Sequence, residues 1–556
     1  QGDGSYLKTA ACAKHFAVHS GPEKERHHFD AKATRKDMWE TYLPAFQACV
    51  EAGVESVMGA YNRTNGEPCC ANTYLMEEVL RGKWHFEGHY VSDCWAIKDF
   101  HENHKVTRNA EESAYLALEK GCDLNCGCTY REIMPAYKKG DLPLSLIRRA
   151  AIRLFTTRFL LGMFDKTEYD EIPYETIACK EHLALAKKAA EESIVLLKND
   201  GILPLKKKKG MTIGVIGPNA DSREALIGNY HGTPPRYITV LEGIQDYLGE
   251  DGRVLYAQGC HLYKDREEAL AQPDDRISEA VSCAEHADVV VLCLGLDETL
   301  EGEEGDTGNS YASGDKLDLL LPPPQQRLLE AVAKTKKPFI VCLLAGSAMD
   351  LNFADQEAAA ILQAFYLGAE GGREVARLLF GEYSPSGKLP VTIYRDLTEM
   401  PAFTDYTMRG RTYRYLTKKP LYPFGYGLTY SDCVIDEIQP EKEYTYEDAV
   451  KDGIEIKVHV ENRGSYDTEE VLQGYVKVQS PNEVLHPKLG VFARIHIKAG
   501  EGQWISLHIS KTAFSTVTED GERVYDGKKA QIFIGFGQPD ERTAELLGVN
   551  SLSFEV

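Results

Sequence analysis

The run His89-Tyr90-Val91-Ser92-Asp93-Cys94-Trp95 is a short apolar strand pattern that ends in a carboxylate, with an aromatic residue two positions on. Barrel enzymes place their chemistry at the C-terminal ends of strands, so Asp93 is a candidate nucleophile. Its plainer alternative is a cap on the following helix. Trp95 could stack on the apolar face of a pyranose ring while Asp93 attacks. Lys14-His15 closes another strand-like run, and both side chains can donate to ligand hydroxyls. Met58-Gly59-Ala60-Tyr61-Asn62 closes a third, where the Tyr61 hydroxyl could hold a nucleophile in place. The stretch from Leu296 to Asp306 carries six carboxylates in eleven residues. Such crowding can keep one of them protonated for general-acid work.

These residues need elements to hold them. Residues 1 to about 140 alternate strand and helix patterns: strands at Thr9 to Phe16, Val54 to Tyr61, His89 to Ser92 and Gly121 to Leu124, with helices at 34–52, Leu75 to Leu80 and Glu111 to Lys120. That alternation predicts four parallel βαβ units, whereas a closed barrel of this class takes eight. From about 175 to 425 a helix is expected from Glu181 to Lys198. Apolar strands follow at Thr212 to Ile216, Val289 to Leu294 and Phe339 to Leu344, as in a sheet covered on both faces. From about 432 onward, period-2 runs such as Ile454 to Val460, Gly474 to Val478 and Gln531 to Ile534 predict an all-β sandwich. The expected class is therefore α/β multidomain: residues 1–165 as the last four units of a (β/α)8 TIM barrel, 166–430 as an α/β sandwich, and 431–556 as a β-sandwich.

Composition narrows the partners. At 556 residues the chain exceeds one hydrophobic core, and no apolar run approaches the length of a membrane-spanning helix. The net charge of −22 disfavours nucleic acid or an anionic membrane and suits a neutral ligand. Fourteen cysteines lack paired Cys-x-x-Cys knuckles, so zinc is not expected and no cofactor is implied. Their scatter suggests free thiols in a reducing, cytoplasmic setting. The chain opens on Gln1 with no signal-like segment, which suggests either a processed protein or a fragment.

Taken together and in this order, the candidate motifs resemble glycoside hydrolase family 3, the exo-acting β-glucosidases and β-xylosidases. Gly228-Asn229-Tyr230, Pro385-Ser386-Gly387-Lys388-Leu389-Pro390 and Tyr422-Pro423-Phe424-Gly425-Tyr426-Gly427-Leu428-Thr429-Tyr430 look like that family's second domain. Val460-Glu461-Asn462-Arg463-Gly464 looks like its fibronectin type III-like domain. The resemblance implies a retaining mechanism, with Asp93 as nucleophile and a Glu from the second domain as acid/base. The family's pattern of a Glu three residues before an Asp selects Glu303, with Asp306 as the Asp. Glu301 and Glu304 stay as alternatives, and Thr307 stands where Arg is usual. Lys14 and His15 match the sugar-binding pair, and Arg26, in Glu25-Arg26-His27-His28, is a further candidate alongside Tyr61 and Trp95. A retaining glycosidase needs its two carboxyl groups about 5–5.5 Å apart. Asp93 and Glu303 are separated by about 200 residues of chain, so the resemblance places the site where two domains meet.

The expected activity is hydrolysis of non-reducing terminal β-D-glucosyl residues from an oligosaccharide or an aryl or alkyl glycoside, with β-xylosyl as the close alternative. The four units correspond to the second half of the family's barrel. A half-barrel leaves strand edges and apolar surface open. Truncation, a separate polypeptide or a homo-oligomer that completes the barrel would each account for it, and an isolated monomer is expected to be weakly active or inactive. A different class is a catalytically impaired carbohydrate-binding fragment that needs a partner. A nucleotide-binding reading rests only on Gly214-Val215-Ile216-Gly217, which lacks a glycine-rich phosphate loop.

Overall fold

The computed structural model describes residues 2, 4–19, 23–303, 316, 318–398, 400–402 and 404–556. The chain divides into two compact units. One comprises Gln1–Thr176 with Pro401–Arg409 and Val517–Val524, and the other holds the rest.

In the first unit, strands β1 (Cys12–Phe16), β2 (Ser56–Gly59) and β3 (His89–Ser92) form a parallel sheet in the order β1-β2-β3. All four residues of β3 are buried. The expected fourth strand is reduced to one parallel bridge, Val91 to Leu124. Asp123 is buried there, takes the backbone N–H of Tyr90 at 2.9 Å and pairs with Arg81 and Arg153 at 3.2 Å each. Its carboxylate thus adds to the backbone bonds that fasten the segment to β3, from the N–H groups of Asp123 and Leu124 to the Tyr90 carbonyl and from the Ser92 N–H to the Leu124 carbonyl. Among the described residues of this unit there is no closed barrel; beside this sheet and its helices stands a small three-stranded sheet of Asp30–Ala31, Arg63–Thr64 and Glu67–Pro68. The helix expected over 34–52 is broken by Pro44, which starts its own helix, Pro44–Glu51, because a proline has no N–H to continue the previous one.

In the second unit a six-stranded sheet comprises β4 (Val195–Asn199), β5 (Met211–Ile216), β6 (Gly252–Ala257), β7 (Val289–Gly295), β8 (Phe339–Leu344) and β9 (Ala360–Gln363). Its order is β4-β9-β8-β7-β5-β6, with β4 antiparallel to β9 and every other pairing parallel. The helix expected to run to Lys198 stops at Ser193. Val195, Leu196 and Leu197 are each buried, the first two pairing with Gln363 and Leu362 of β9 and Leu197 sitting at a register shift, so burial on both faces overrides their helical spacing. Beyond it, two antiparallel sheets share one apolar core that includes Val458, Val476, Ile509 and Ile532. The period-2 runs supply the alternating buried residues of these strands: in Ile454–Asn462 every second residue, Ile454, Ile456, Val458, Val460 and Asn462, is buried.

The motifs of residues 385–390 and 422–430 turn out to be a structural joint. Leu389 exchanges backbone hydrogen bonds with Tyr426 and Gly425, at 2.9 and 2.8 Å. The Tyr426 hydroxyl donates to the Leu197 carbonyl at 3.0 Å. Lys388 donates to the Gly427 carbonyl at 2.7 Å and pairs with Glu470 of the β-sandwich at 2.6 Å, both side chains under a tenth exposed. Removing one partner of such a buried pair leaves the other charge uncompensated. Lys388→Met is expected to cost about 3–5 kcal/mol of stability, seen as a lowered urea midpoint. Adding Glu470→Gln should recover part of it.

Candidate active site

Asp93 follows β3 directly and is 7% exposed. The cap on the next helix is instead Trp95, which has φ +67° and makes no side-chain cap bond, so Asp93 is not spent on helix ends. Its Oδ1 accepts the N–H of Cys94 at 2.8 Å, while Oδ2 pairs with His15 Nε2 at 3.2 Å. Burial favours the neutral acid, but hydrogen bonds from His15, the Cys94 N–H and Tyr61 outweigh it and hold the carboxyl below its ordinary range. Asp93 is therefore an ionised carboxylate, which is what a nucleophile requires.

The sheet gathers the other candidates around it. His15 comes from the end of β1 and Tyr61 from just beyond β2. The Tyr61 ring is buried, with the Arg26 guanidinium 4.7 Å over its centroid. Arg26 is braced by Glu23 at 2.6 Å. Lys14 is exposed on β1, adjacent to His15. Trp95 is 49% exposed, an open indole face two residues from Asp93. Gly127, at φ +121°, sits against that indole, where an added Cβ would lie 3.3 Å from the ring. The structure thus brings His15, Arg26, Tyr61 and Asp93 into linked contact and sets Lys14 and Trp95 beside them in sequence.

Several participants escaped the sequence reading. Cys94 and Cys126 form a disulfide, which corrects the expectation that all cysteines are free thiols; the other twelve are free. The Trp95 N–H donates to the Cys126 carbonyl at 2.8 Å and the Cys126 N–H to Ser92 Oγ at 3.0 Å, so the turn after Asp93 is tied on both sides. His19 stacks edge-on with His15 at 5.1 Å and meets Asn62 at 3.0 Å. Burial, then the charge on His15, lowers its pKa to about 4, so it stays neutral. His27 contacts both Arg26 and buried Asp99. No spacing rule links residues 19, 27, 62 and 99; only the fold does.

In the second unit, Glu303 lies on the loop beyond the carboxyl end of β7, where open α/β sheets place ligands. Glu304 and Asp306 lie outside the described residues. Glu301 is committed elsewhere: it accepts the backbone N–H groups of Gly346 and Ser347, each at 2.8 Å, and the Tyr366 hydroxyl. Tyr366 in turn packs on Gly228, where a Cβ would meet its ring at 2.7 Å. With three donors on its carboxylate, Glu301 ties the acidic loop to Gly346, Ser347 and Tyr366.

These features define a glycoside hydrolase chain, and the comparisons agree. Residues 4–157 match the model of the glycosyl hydrolase family 3 N terminal domain and residues 194–430 that of the family 3 C-terminal domain. The chain is 30% identical to a xylan 1,4-beta-xylosidase of Xylanibacter ruminicola, over 92% of this chain and 75% of the relative. It is 37% identical to beta-D-xylosidase 1 of Arabidopsis thaliana over 77% of this chain, spanning 55% of that protein. A solved β-glucosidase of Erythrobacter marinus superposes with a TM-score of 0.85 at 30% identity, covering 98% of this chain and 73% of that one. The chain belongs to glycoside hydrolase family 3.

Proposed function

We propose that the protein is a retaining exo-β-glycosidase in which Asp93 attacks the anomeric carbon and Glu303 protonates the leaving oxygen. The observation that carries this reading is the ionised carboxylate of Asp93 at a strand end, held by His15, the Cys94 N–H and Tyr61. Lys14, His15 and Arg26 bind sugar hydroxyls, Tyr61 steadies the nucleophile and Trp95 stacks on the ring. In this reading residues 1–165 represent four βα units of a barrel, 166–430 an α/β sandwich and 431–556 a fibronectin type III-like domain.

The substrate we favour is a terminal β-D-xylosyl residue, reversing the order suggested by the sequence, where glucosyl stood first. The Cys94–Cys126 bridge and the indole against Gly127 make a stiff wall next to Asp93. A stiff wall suits a pentopyranose, which lacks the exocyclic hydroxymethyl of glucose. Both curated relatives quoted above carry xylosidase names, although β-glucosidases also occur among the similar proteins. Rejecting one extra exocyclic group is worth about 10–200-fold. We expect nitrophenyl β-xyloside to exceed nitrophenyl β-glucoside in kcat/KM by at least about tenfold. Equal values or a glucoside preference would return the assignment to β-glucosidase. The bridge also favours an oxidising compartment over the cytoplasmic setting that scattered thiols suggest.

A further inference from the structure

His27 joins a buried carboxylate to a candidate sugar-binding group. Asp99, 4% exposed on the helix Ala96–Glu102, presents Oδ2 to His27 Nδ1 at 2.8 Å and is itself fixed by Asn103 Nδ2 at 2.6 Å. On the other side of the ring, Arg26 Nε donates to His27 Nε2 at 3.4 Å. An Arg Nε–H has no acceptor capacity, so Nε2 must carry the lone pair. The proton is then on Nδ1, donated to Asp99, and the carboxylate selects the tautomer that Arg26 needs. The same ring packs edge-on against Tyr61 at 4.8 Å, while the Arg26 guanidinium covers another part of that ring.

We infer that His27 is a positioning residue: it transmits the fixed orientation of buried Asp99 to the Arg26 guanidinium and the Tyr61 ring, and through them to the sugar-binding face beside Asp93. The inference rests on the glycosidase reading above and adds to it a residue that does not itself touch the sugar. Asp99 is the foundation, His27 the strut, and Arg26 with Tyr61 the groups held in register. A bidentate donor such as Arg26 loses its advantage when its plane is free to rotate.

The test is a double-mutant cycle on nitrophenyl β-xyloside with the protein as expressed. His27→Phe keeps a ring against Tyr61 but removes both hydrogen bonds. His27→Asn keeps a donor to Asp99 and offers nothing at the Nε2 position. Arg26→Ala removes the group being held. Each His27 variant is expected to lower kcat/KM about tenfold, His27→Phe also lowering the melting temperature because Asp99 Oδ2 loses its donor while His27→Asn, which keeps one, stays closer to wild type, and Arg26→Ala is expected to lower kcat/KM about 100-fold, the range for losing a charged hydrogen bond. The double variant His27→Phe/Arg26→Ala should then fall no lower than Arg26→Ala alone, because the strut has nothing left to hold. Should turnover be too slow to assay, the same cycle is read from xylose binding by titration calorimetry. Fully multiplicative losses, or a His27→Phe protein with wild-type kcat/KM and xylose affinity, would overturn the inference while leaving the glycosidase reading intact. An Arg26→Ala protein with unaltered kcat/KM and affinity would overturn it too. The glycosidase reading falls separately, on unchanged turnover by Asp93→Asn.

Discussion

Asp93→Asn is expected to lower turnover of nitrophenyl β-xyloside by about 10⁴–10⁶-fold, the scale on which loss of a covalent nucleophile acts. The amide is isosteric and can still accept the Cys94 N–H, so the turn tied by Cys126 and Ser92 should survive and the melting temperature should stay close to wild type. What disappears is the negative oxygen aimed at the anomeric carbon. His15, the Cys94 N–H and Tyr61 all act to keep that oxygen charged against its own burial, so their effort is wasted on a neutral amide. A second readout is independent of rate. A 2-fluoro-xyloside with a good leaving group should add one glycosyl mass to the wild-type peptide containing Asp93 and none to the variant. Labelling of a different carboxylate, or undiminished turnover, would remove Asp93 from the role of nucleophile.

Glu303→Ala should behave differently with different leaving groups. General-acid assistance contributes about 10²–10⁴-fold, and it matters in proportion to how badly the leaving oxygen needs a proton. Xylobiose, with an alkoxide leaving group, should lose about 10³-fold. A dinitrophenyl xyloside should form the glycosyl-enzyme at nearly the wild-type rate and then stall, because the same carboxyl must deprotonate water in the second step. Azide should release that block and yield β-xylosyl azide. The retained configuration of the product is the diagnostic. Glu301→Ala offers the contrast: it frees Gly346, Ser347 and Tyr366 from their acceptor, so it should slow all substrates alike, lower stability and show no azide rescue. If Glu301→Ala is the variant rescued, the acid/base assignment moves.

Asp93, Tyr61 and the Lys14-His15 pair were legible because each ends a strand pattern, and strand ends converge in parallel α/β architecture. The acidic stretch was legible as a group but not resolved into roles. Spacing alone cannot tell which carboxylate is consumed by backbone donors, and it took Gly346, Ser347 and Tyr366 to show that Glu301 is. Residues 385–390 and 422–430 were visible as family signatures but silent about purpose, since the partners that explain them, Leu197, Glu470 and each other, are remote in sequence. The misread helix end at Val195–Leu197 has the same origin: apolar residues at helical spacing also fit a strand buried on both faces, and only pairing with β9 decides between them. The expected fourth strand is a single bridge at Leu124, and no local pattern reveals that Asp123 beside it meets two arginines.

Local pattern by itself determined the α/β-then-β order of the chain, the nucleophile candidate and the family, because strand and helix periods and short motifs are properties of neighbouring residues. Tertiary structure alone decided that Cys94 and Cys126 are bonded, that Glu301 is an anchor, and that Asp99 reaches Arg26 through His27. Those relations depend on atoms brought within about 3 Å by strands and helices far apart in the chain, and a one-dimensional pattern carries no such distances.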